Sequence, residues 1–212
     1  MKSCIAVAAF ALACSVSAQA ALIEFRDRAE FESQGTIAFY NDFESYNTSS
    51  GFFYPGNPWT AEGVTYTSTD NLIVGVNSQY TNQSNHIANN YWTPITGTLD
   101  GAGQFNMFAF DVAVYGNSNL SLSLTTNLFT YTTSFAAPDA NVQSLDFWGF
   151  TLTEGEYFTG FRLVSAGSNN LGMMDNVTLG STLETSAVPE PTTLALFGIG
   201  LVGLGLRKLS KR

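Results

Sequence analysis

From Thr36 to Leu179 the chain alternates apolar and polar residues with a period of two, the signature of strands with one face buried. Read this way, the candidate strands are Thr36–Glu44, Gly63–Thr69, Asn71–Asn77, Ile95–Leu99, Phe105–Tyr115, Asn119–Thr126, Leu128–Phe135, Gln143–Leu152, Phe158–Ser165 and Gly172–Leu179. The clearest is Leu120-Ser121-Leu122-Ser123-Leu124-Thr125, where every second residue carries a hydroxyl, as a sheet with one wet face requires. Turn-forming clusters separate the runs, among them Tyr115-Gly116-Asn117, Glu154-Gly155-Glu156 and Ala166-Gly167-Ser168-Asn169-Asn170. Ten short strands at this spacing predict an all-β fold, an antiparallel β-sandwich over residues 21–180. Ahead of them, Asp27-Arg28-Ala29-Glu30 has the pattern of a capping box and opens one short N-terminal helix to about Ser33.

Both ends break the alternation. Lys2 precedes the apolar run Ile5–Cys14, and Ala18-Gln19-Ala20 places small residues at the two recognition positions of a signal peptidase. Residues 1–20 therefore read as a secretory signal cut after Ala20, and the run is too short to span a bilayer. At the other end, past a linker at 181–187, come Val188-Pro189-Glu190-Pro191, an apolar run Leu194–Leu206 with four glycines, and Arg207-Lys208-Leu209-Ser210-Lys211-Arg212. As a helix, residues 192–209 would reach roughly 27 Å, thin for a permanent anchor but adequate for a transient one. The terminal basic cluster orients this transmembrane-like helix with the C-terminus in the cytoplasm and the β-domain outside.

Charge sharpens the picture. Five of the eight basic residues lie in those two ends, so residues 21–187 hold three Arg and no Lys against sixteen acids, a balance of −13. A body this acidic repels phosphate backbones and excludes nucleic acid as a partner. Both cysteines, Cys4 and Cys14, fall in the signal, so the exported body has no disulfide and no thiol nucleophile. Its stability has to come from core burial, with a metal as the remaining staple.

The tail resembles a PEP-CTERM sorting signal: Pro-Glu-Pro, a short Gly-rich apolar helix and a basic end, at the extreme C-terminus over 188–212. The resemblance implies recognition by a membrane-embedded exosortase, with Pro189, Glu190 and Pro191 as the recognition residues. An ordinary tail anchor would account for the helix and the charges but not for the motif. Proline on both sides of Glu190 holds the chain extended, a form that a protease-like enzyme can bind. More weakly, Asn41-Asp42-Phe43-Glu44, Asp146-Phe147-Trp148-Gly149-Phe150 and Met174-Asp175-Asn176-Val177 are similar to the jelly-roll domains common in PEP-CTERM proteins. Those in turn resemble galactose-binding-like and carbohydrate-binding modules.

Candidate chemistry is sparse. Simple alternation puts Asp175 on one face with Met173, Val177 and Leu179, and a carboxylate on an apolar face is costly unless paired. A cation would be an economical partner, while backbone N–H groups at a strand end would also serve. Resemblance to the jelly-roll modules implies a structural Ca²⁺ held by Glu44 and Asp175, with Asp42 assisting and carbonyls completing the oxygen set. The loops Ser49–Ala61 and Asn77–Pro94 carry aromatics among turn residues, and Trp59, Tyr91 and Trp92 are candidate ligand contacts as well as candidate packing residues. Arg162 lies opposite Phe161 and Leu163 and reads as half of a surface ion pair. His86 is the only histidine, and no Gly-x-Ser-x-Gly, phosphate-loop or His-Glu-x-x-His motif occurs. The sequence thus predicts a non-catalytic, exported surface or matrix protein, sorted by exosortase and associated with extracellular polysaccharide. The alternative is a secreted carbohydrate-active enzyme using paired carboxylates, which sixteen acids permit and nothing points to.

Overall fold

A computed structural model of the chain describes residues 21–46, 51–75, 84–89, 93–99, 105–114, 119–137, 145–153, 155–165 and 172–183. In chain order the elements are β1 (Leu22–Phe25), α1 (Arg28–Glu32), β2 (Gly35–Asn41), a 3-10 turn (Glu44–Tyr46), β3 (Trp59–Ala61), β4 (Val64–Thr67), β5 (Leu72–Gly75) and β6 (His86–Asn89). They continue with β7 (Ile95–Leu99), β8 (Met107–Val114), β9 (Asn119–Thr126), β10 (Thr130–Ala136), β11 (Asp146–Leu152), β12 (Phe158–Ser165) and β13 (Gly172–Thr182). By contact the chain divides after Thr182, and of the second unit, Leu183–Arg212, only Leu183 is described. The signal at 1–20, Tyr91, Trp92, Pro189, Glu190, Pro191 and the expected helix at 192–209 all lie outside the described residues. No helix among those residues is long and apolar enough to cross a membrane.

The strands form two antiparallel sheets. The first runs β1-β11-β8-β13-β6-β5, with β2 pairing the C-terminal half of β13; the second runs β10-β9-β12-β7-β4-β3. Side chains that alternate inward from both sheets make the main core: Phe108, Phe110 and Val112 from β8 and Met174, Val177 and Leu179 from β13 meet Leu120, Leu122 and Leu124 from β9 and Phe161 and Leu163 from β12. Two constrictions set the packing. A Cβ on Gly97 would lie 2.1 Å from the Phe161 ring, and one on Gly35 would lie 2.2 Å from the Ser181 carbonyl oxygen, so both positions require glycine for close approach.

A second apolar cluster lies on the outer face of the first sheet. Phe25, Phe31, Met107 and Ala109 pack there, with Phe31 carried by α1. The helix starts where the capping pattern places it: the Asp27 carboxylate accepts from Glu30 N–H at 2.8 Å, satisfying one orphan donor of the first turn. All ten expected strands are present, three of them (β7, β9 and β12) with unchanged ends. Three more strands, β1, β3 and β6, sit in stretches too short or too polar to alternate visibly.

One register feature departs from simple alternation and positions the site. Between Asp175 and Thr178 the pairing of β13 with β8 shifts, and Asn176 takes a left-handed conformation at φ 51°. This β-bulge switches parity. Val177 and Leu179 face the main core, whereas Met173 packs with Ala88 and Ala113 on the opposite face. Asp175 consequently does not share a face with Val177 and Leu179.

Candidate functional site

β13 is flanked on one side by β6 at Met173 and Met174 and by β2 from Val177 onward. Asp175 lies in the gap between those partners, at the bulge. Beyond β2 the chain turns sharply: the Asn41 side chain accepts from Phe43 N–H at 2.9 Å, and the Asp42 side chain accepts from Glu44 N–H at 3.1 Å. Phe43 holds φ 56°, an uncommon value for a bulky residue, and is kept there by complete burial of its ring in the core. The turn aims Glu44 at Ser84 and Asn85, which lead into β6.

The result is a pair of bridged carboxylates. Glu44 Oε1 accepts from Asn85 N–H at 2.9 Å, and Oε2 accepts from the Asn85 side-chain amide at 3.1 Å. Ser84 Oγ stands 2.9 Å from Glu44 Oε1 and 2.7 Å from Asp175 Oδ2. A hydroxyl has one hydrogen and donates to one of these oxygens only. The other contact, oxygen against oxygen, calls for a carboxyl proton or a cation. Asp175 is 1% exposed, and its carboxyl is pushed up to about 7, chiefly by burial. Hydrogen bonds from Ser84 and from Asn176 N–H oppose that rise, while Asp111 and Glu44 add to it.

The nearby arginine does not relieve Asp175. Arg28 donates to Asp111 Oδ1 at 2.9 Å, lies 3.7 Å from Glu32 and stacks over the Phe147 ring at 4.6 Å. Asp111 is further held by the Asn176 side-chain amide at 2.7 Å, and Asn176 accepts from the Tyr40 hydroxyl. The donor chemistry at Glu44 and Asp175, hard oxygens with no soft ligand, suits Ca²⁺. Among the described residues no third His, Cys, Asp or Glu side chain joins them, so backbone carbonyls and hydroxyls would have to complete the set. Asp42 serves the turn through its bond to Glu44 N–H. Ser84, Asn85 and Asn176 were invisible as site residues in the sequence, because Ser and Asn in polar loops look alike whether or not they bind.

Aromatic side chains adjoin this pair through the same 3-10 turn. Tyr46 meets Trp59 edge-on at 5.0 Å and stacks on Phe53 at 6.3 Å, while Trp59 stacks on buried Tyr66 at 5.6 Å. Trp59 is thus the half-buried middle of an aromatic ladder, and its outer end is exposed. Phe52, Phe53 and Tyr54 are 38%, 37% and 59% exposed. Their segment is not loose: Phe53 exchanges both backbone hydrogen bonds with Val74 of β5, at 2.6 and 2.8 Å.

Elsewhere, chemistry is absorbed structurally. The buried Glu156 carboxylate accepts from Thr126 and from the Tyr131 hydroxyl, tying the β9–β10 hairpin to the start of β12. His86 is buried, which pushes its pKa down, and its Nδ1 contacts the Ser84 carbonyl at 3.0 Å.

Residues 187–212 match the PEP-CTERM protein-sorting motif, which implies export to the surface or the extracellular space. No curated protein matches the chain. Among solved structures, the CBM22-1 xylan-binding domain from Paenibacillus barcinonensis is similar at 14% identity, with 70% of this chain and 97% of that one covered and a TM-score of 0.41. A family 29 carbohydrate-binding module from Piromyces equi is similar at 11% identity over 66% and 94%, with a TM-score of 0.36. The family 11 module of a Clostridium thermocellum cellulosomal cellulase is similar at 10% over 72% and 98%, with a TM-score of 0.34.

Proposed function

We propose that this chain is an exported, exosortase-sorted surface or matrix protein that binds extracellular polysaccharide and catalyses nothing. In this reading a signal at 1–20 is removed by signal peptidase and the sandwich at 21–180 works outside. A linker at 181–187 joins it to the sorting signal at 188–212, whose helix holds the chain in the membrane, C-terminus inside, until exosortase acts at Pro189-Glu190-Pro191. The strip Phe52-Phe53-Tyr54 carries the binding claim. Exposed rings held on a pinned backbone offer flat apolar faces to sugar rings at little ordering cost. Glu44 and Asp175 would hold a structural Ca²⁺; when bound it supplies the positive charge that the bridged carboxylates lack. The chain itself contributes the turn from Asn41 to Tyr46, which fixes Glu44 on one side and supports Phe53 through Tyr46 on the other.

The test is retention on insoluble neutral polysaccharides by the full-length chain in mild detergent. Retention that drops in Tyr54→Ala, with an unchanged melting temperature, is the expected result. Equal retention of wild type and variant, or retention of neither, would sink the aromatic-strip reading.

A further inference from the structure

The outer face of the second sheet differs in charge from the rest of this acidic body. None of its six strands, β3, β4, β7, β9, β10 and β12, contains Asp, Glu or Lys. Residues that alternate outward from them are nearly all Thr and Ser, and the pairing registers align them in rows. One row runs Thr67, Thr96, Arg162, Ser123, Thr132 across β4, β7, β12, β9 and β10. Four strand-to-strand steps make this row about 19 Å long, and the next row lies about 7 Å along the strands. That neighbouring row brings Thr65, Thr98 and Thr125 into line beside Gly160, where no side chain obstructs the surface.

Arg162 stands in the middle of the row on the exposed face, its neighbours Phe161 and Leu163 buried beneath. Among the described residues it does not form the surface ion pair expected from sequence, because its row holds hydroxyls and no acid. Among the described residues the other two arginines of the body are paired, Arg26 with Glu24 at 2.6 Å and Arg28 with Asp111, and Arg162 has no ion pair. A planar guanidinium is a bidentate donor suited to carboxylate, and the hydroxyls on either side can donate to or accept from sugar hydroxyls. The rung spacing of the row is close to the advance per pyranose unit in an extended glycan. A polyanion is repelled by most of this protein, whereas the strands of this face present a cation and no carboxylate.

We infer that the outer face of the second sheet, centred on Arg162, is a separate binding site for acidic polysaccharide, with the guanidinium taking a uronate carboxylate and the flanking Thr and Ser hydroxyls taking the sugar hydroxyls. The inference goes beyond the aromatic strip but rests on the reading that the sandwich meets glycans, and the two sites can fail separately.

The experiment compares binding of the full-length chain in mild detergent to polygalacturonate and to its fully methyl-esterified form, which keeps the sugar and removes the charge. Wild type is expected to prefer the free acid, and Arg162→Ala to lose about five- to tenfold of that affinity while leaving the melting temperature unchanged. Arg162→Lys keeps the charge but not the fork and is expected to recover only part of the loss. Tyr54→Ala is expected to leave the free-acid preference intact. Equal binding of both polymers by wild type, or a preference that survives in Arg162→Ala, overturns the assignment. Loss of neutral-polymer retention in Tyr54→Ala alone bears on the aromatic strip and not on this site.

Discussion

Asp175→Asn isolates the bridged carboxylates, because asparagine keeps the shape and removes the charge. The folded Asp175 carboxyl holds its proton up to about 7, against 3.8 ordinarily. The stability this proton gives is fully present below 3.8 and is lost as pH rises through about 7, since the folded state binds the proton more tightly. From pH 5 to 8 the folded carboxyl must surrender a proton that the unfolded chain has already lost. At about 1.4 kcal/mol per unit, that costs wild type about 2–3 kcal/mol. His86, whose pKa burial pushes down, acts in the opposite direction as pH falls, but it is common to both proteins and cancels in their difference. Urea unfolding followed by tryptophan fluorescence, with chelator present, is therefore expected to show Asp175→Asn gaining about 2–3 kcal/mol on wild type between pH 5 and pH 8. Calcium at about a hundred times its dissociation constant is expected to return about 2.7 kcal/mol to wild type and nothing to the variant. Parallel pH profiles for the two proteins would refute the shared-proton argument. Equal stabilisation of both by calcium would refute placement of the cation at Asp175.

Other positions test the packing more simply. Gly97→Ala forces a methyl against the Phe161 ring and is expected to cost about 1–3 kcal/mol in chemical denaturation. Trp59→Ala removes the half-buried middle of the aromatic ladder and is expected to cost about 2–3 kcal/mol, below a fully buried aromatic, with Phe53 becoming more accessible to protease as Tyr46 loses its support. Asp27→Ala deletes the α1 cap and is expected to cost about 1 kcal/mol, with Asp27→Asn recovering most of it. Substituting Glu156 by Ala leaves Thr126 and Tyr131 without their shared acceptor and is expected to destabilise by about 1–3 kcal/mol.

The fold was largely legible because its strands alternate cleanly. Leu120, Leu122 and Leu124 point inward wherever β9 sits in a sandwich, so pattern alone identifies them. β6 was missed because His86-Ile87-Ala88-Asn89 lies within a stretch of Asn, Ser and Gln, and its burial comes from being wedged between β5 and β13. The site was half legible. Glu44 and Asp175 were singled out, the former by resemblance, and the structure brings them to opposite sides of one serine hydroxyl. What sequence could not supply was the bulge at Asn176: alternation assumes a constant period of two, and one extra residue moves Asp175 to the other face. Trp59 was legible as a half-wet aromatic, but its place within a ladder depends on Tyr46 and Phe53, which reach it from separate segments.

The two sheets divide their work along lines set by charge. The first sheet carries Glu24, Asp111, Asp146 and Asp175, and its outer face is covered in part by α1, whose Arg28 joins Tyr40, Asn176 and Asp111 in one polar network. Asp111 and Asp175 there are engaged in contacts that join separate elements, Asp111 through Arg28 and Asn176 and Asp175 through Ser84, which matters in an exported body with no disulfide. The second sheet carries no acid and one arginine, and its outward hydroxyls bond one another, as Thr60 does with Thr65 at 2.6 Å and Ser123 with Thr132 at 3.2 Å. A hydroxyl ladder of this kind stabilises little, about 0.2–1 kcal/mol per cross-strand pair. Apolar or charged pairs on that face would serve stability equally well, so stability alone does not account for strands that lack acids and are rich in hydroxyls. Binding of an acidic polysaccharide at Arg162, as inferred above, would account for both.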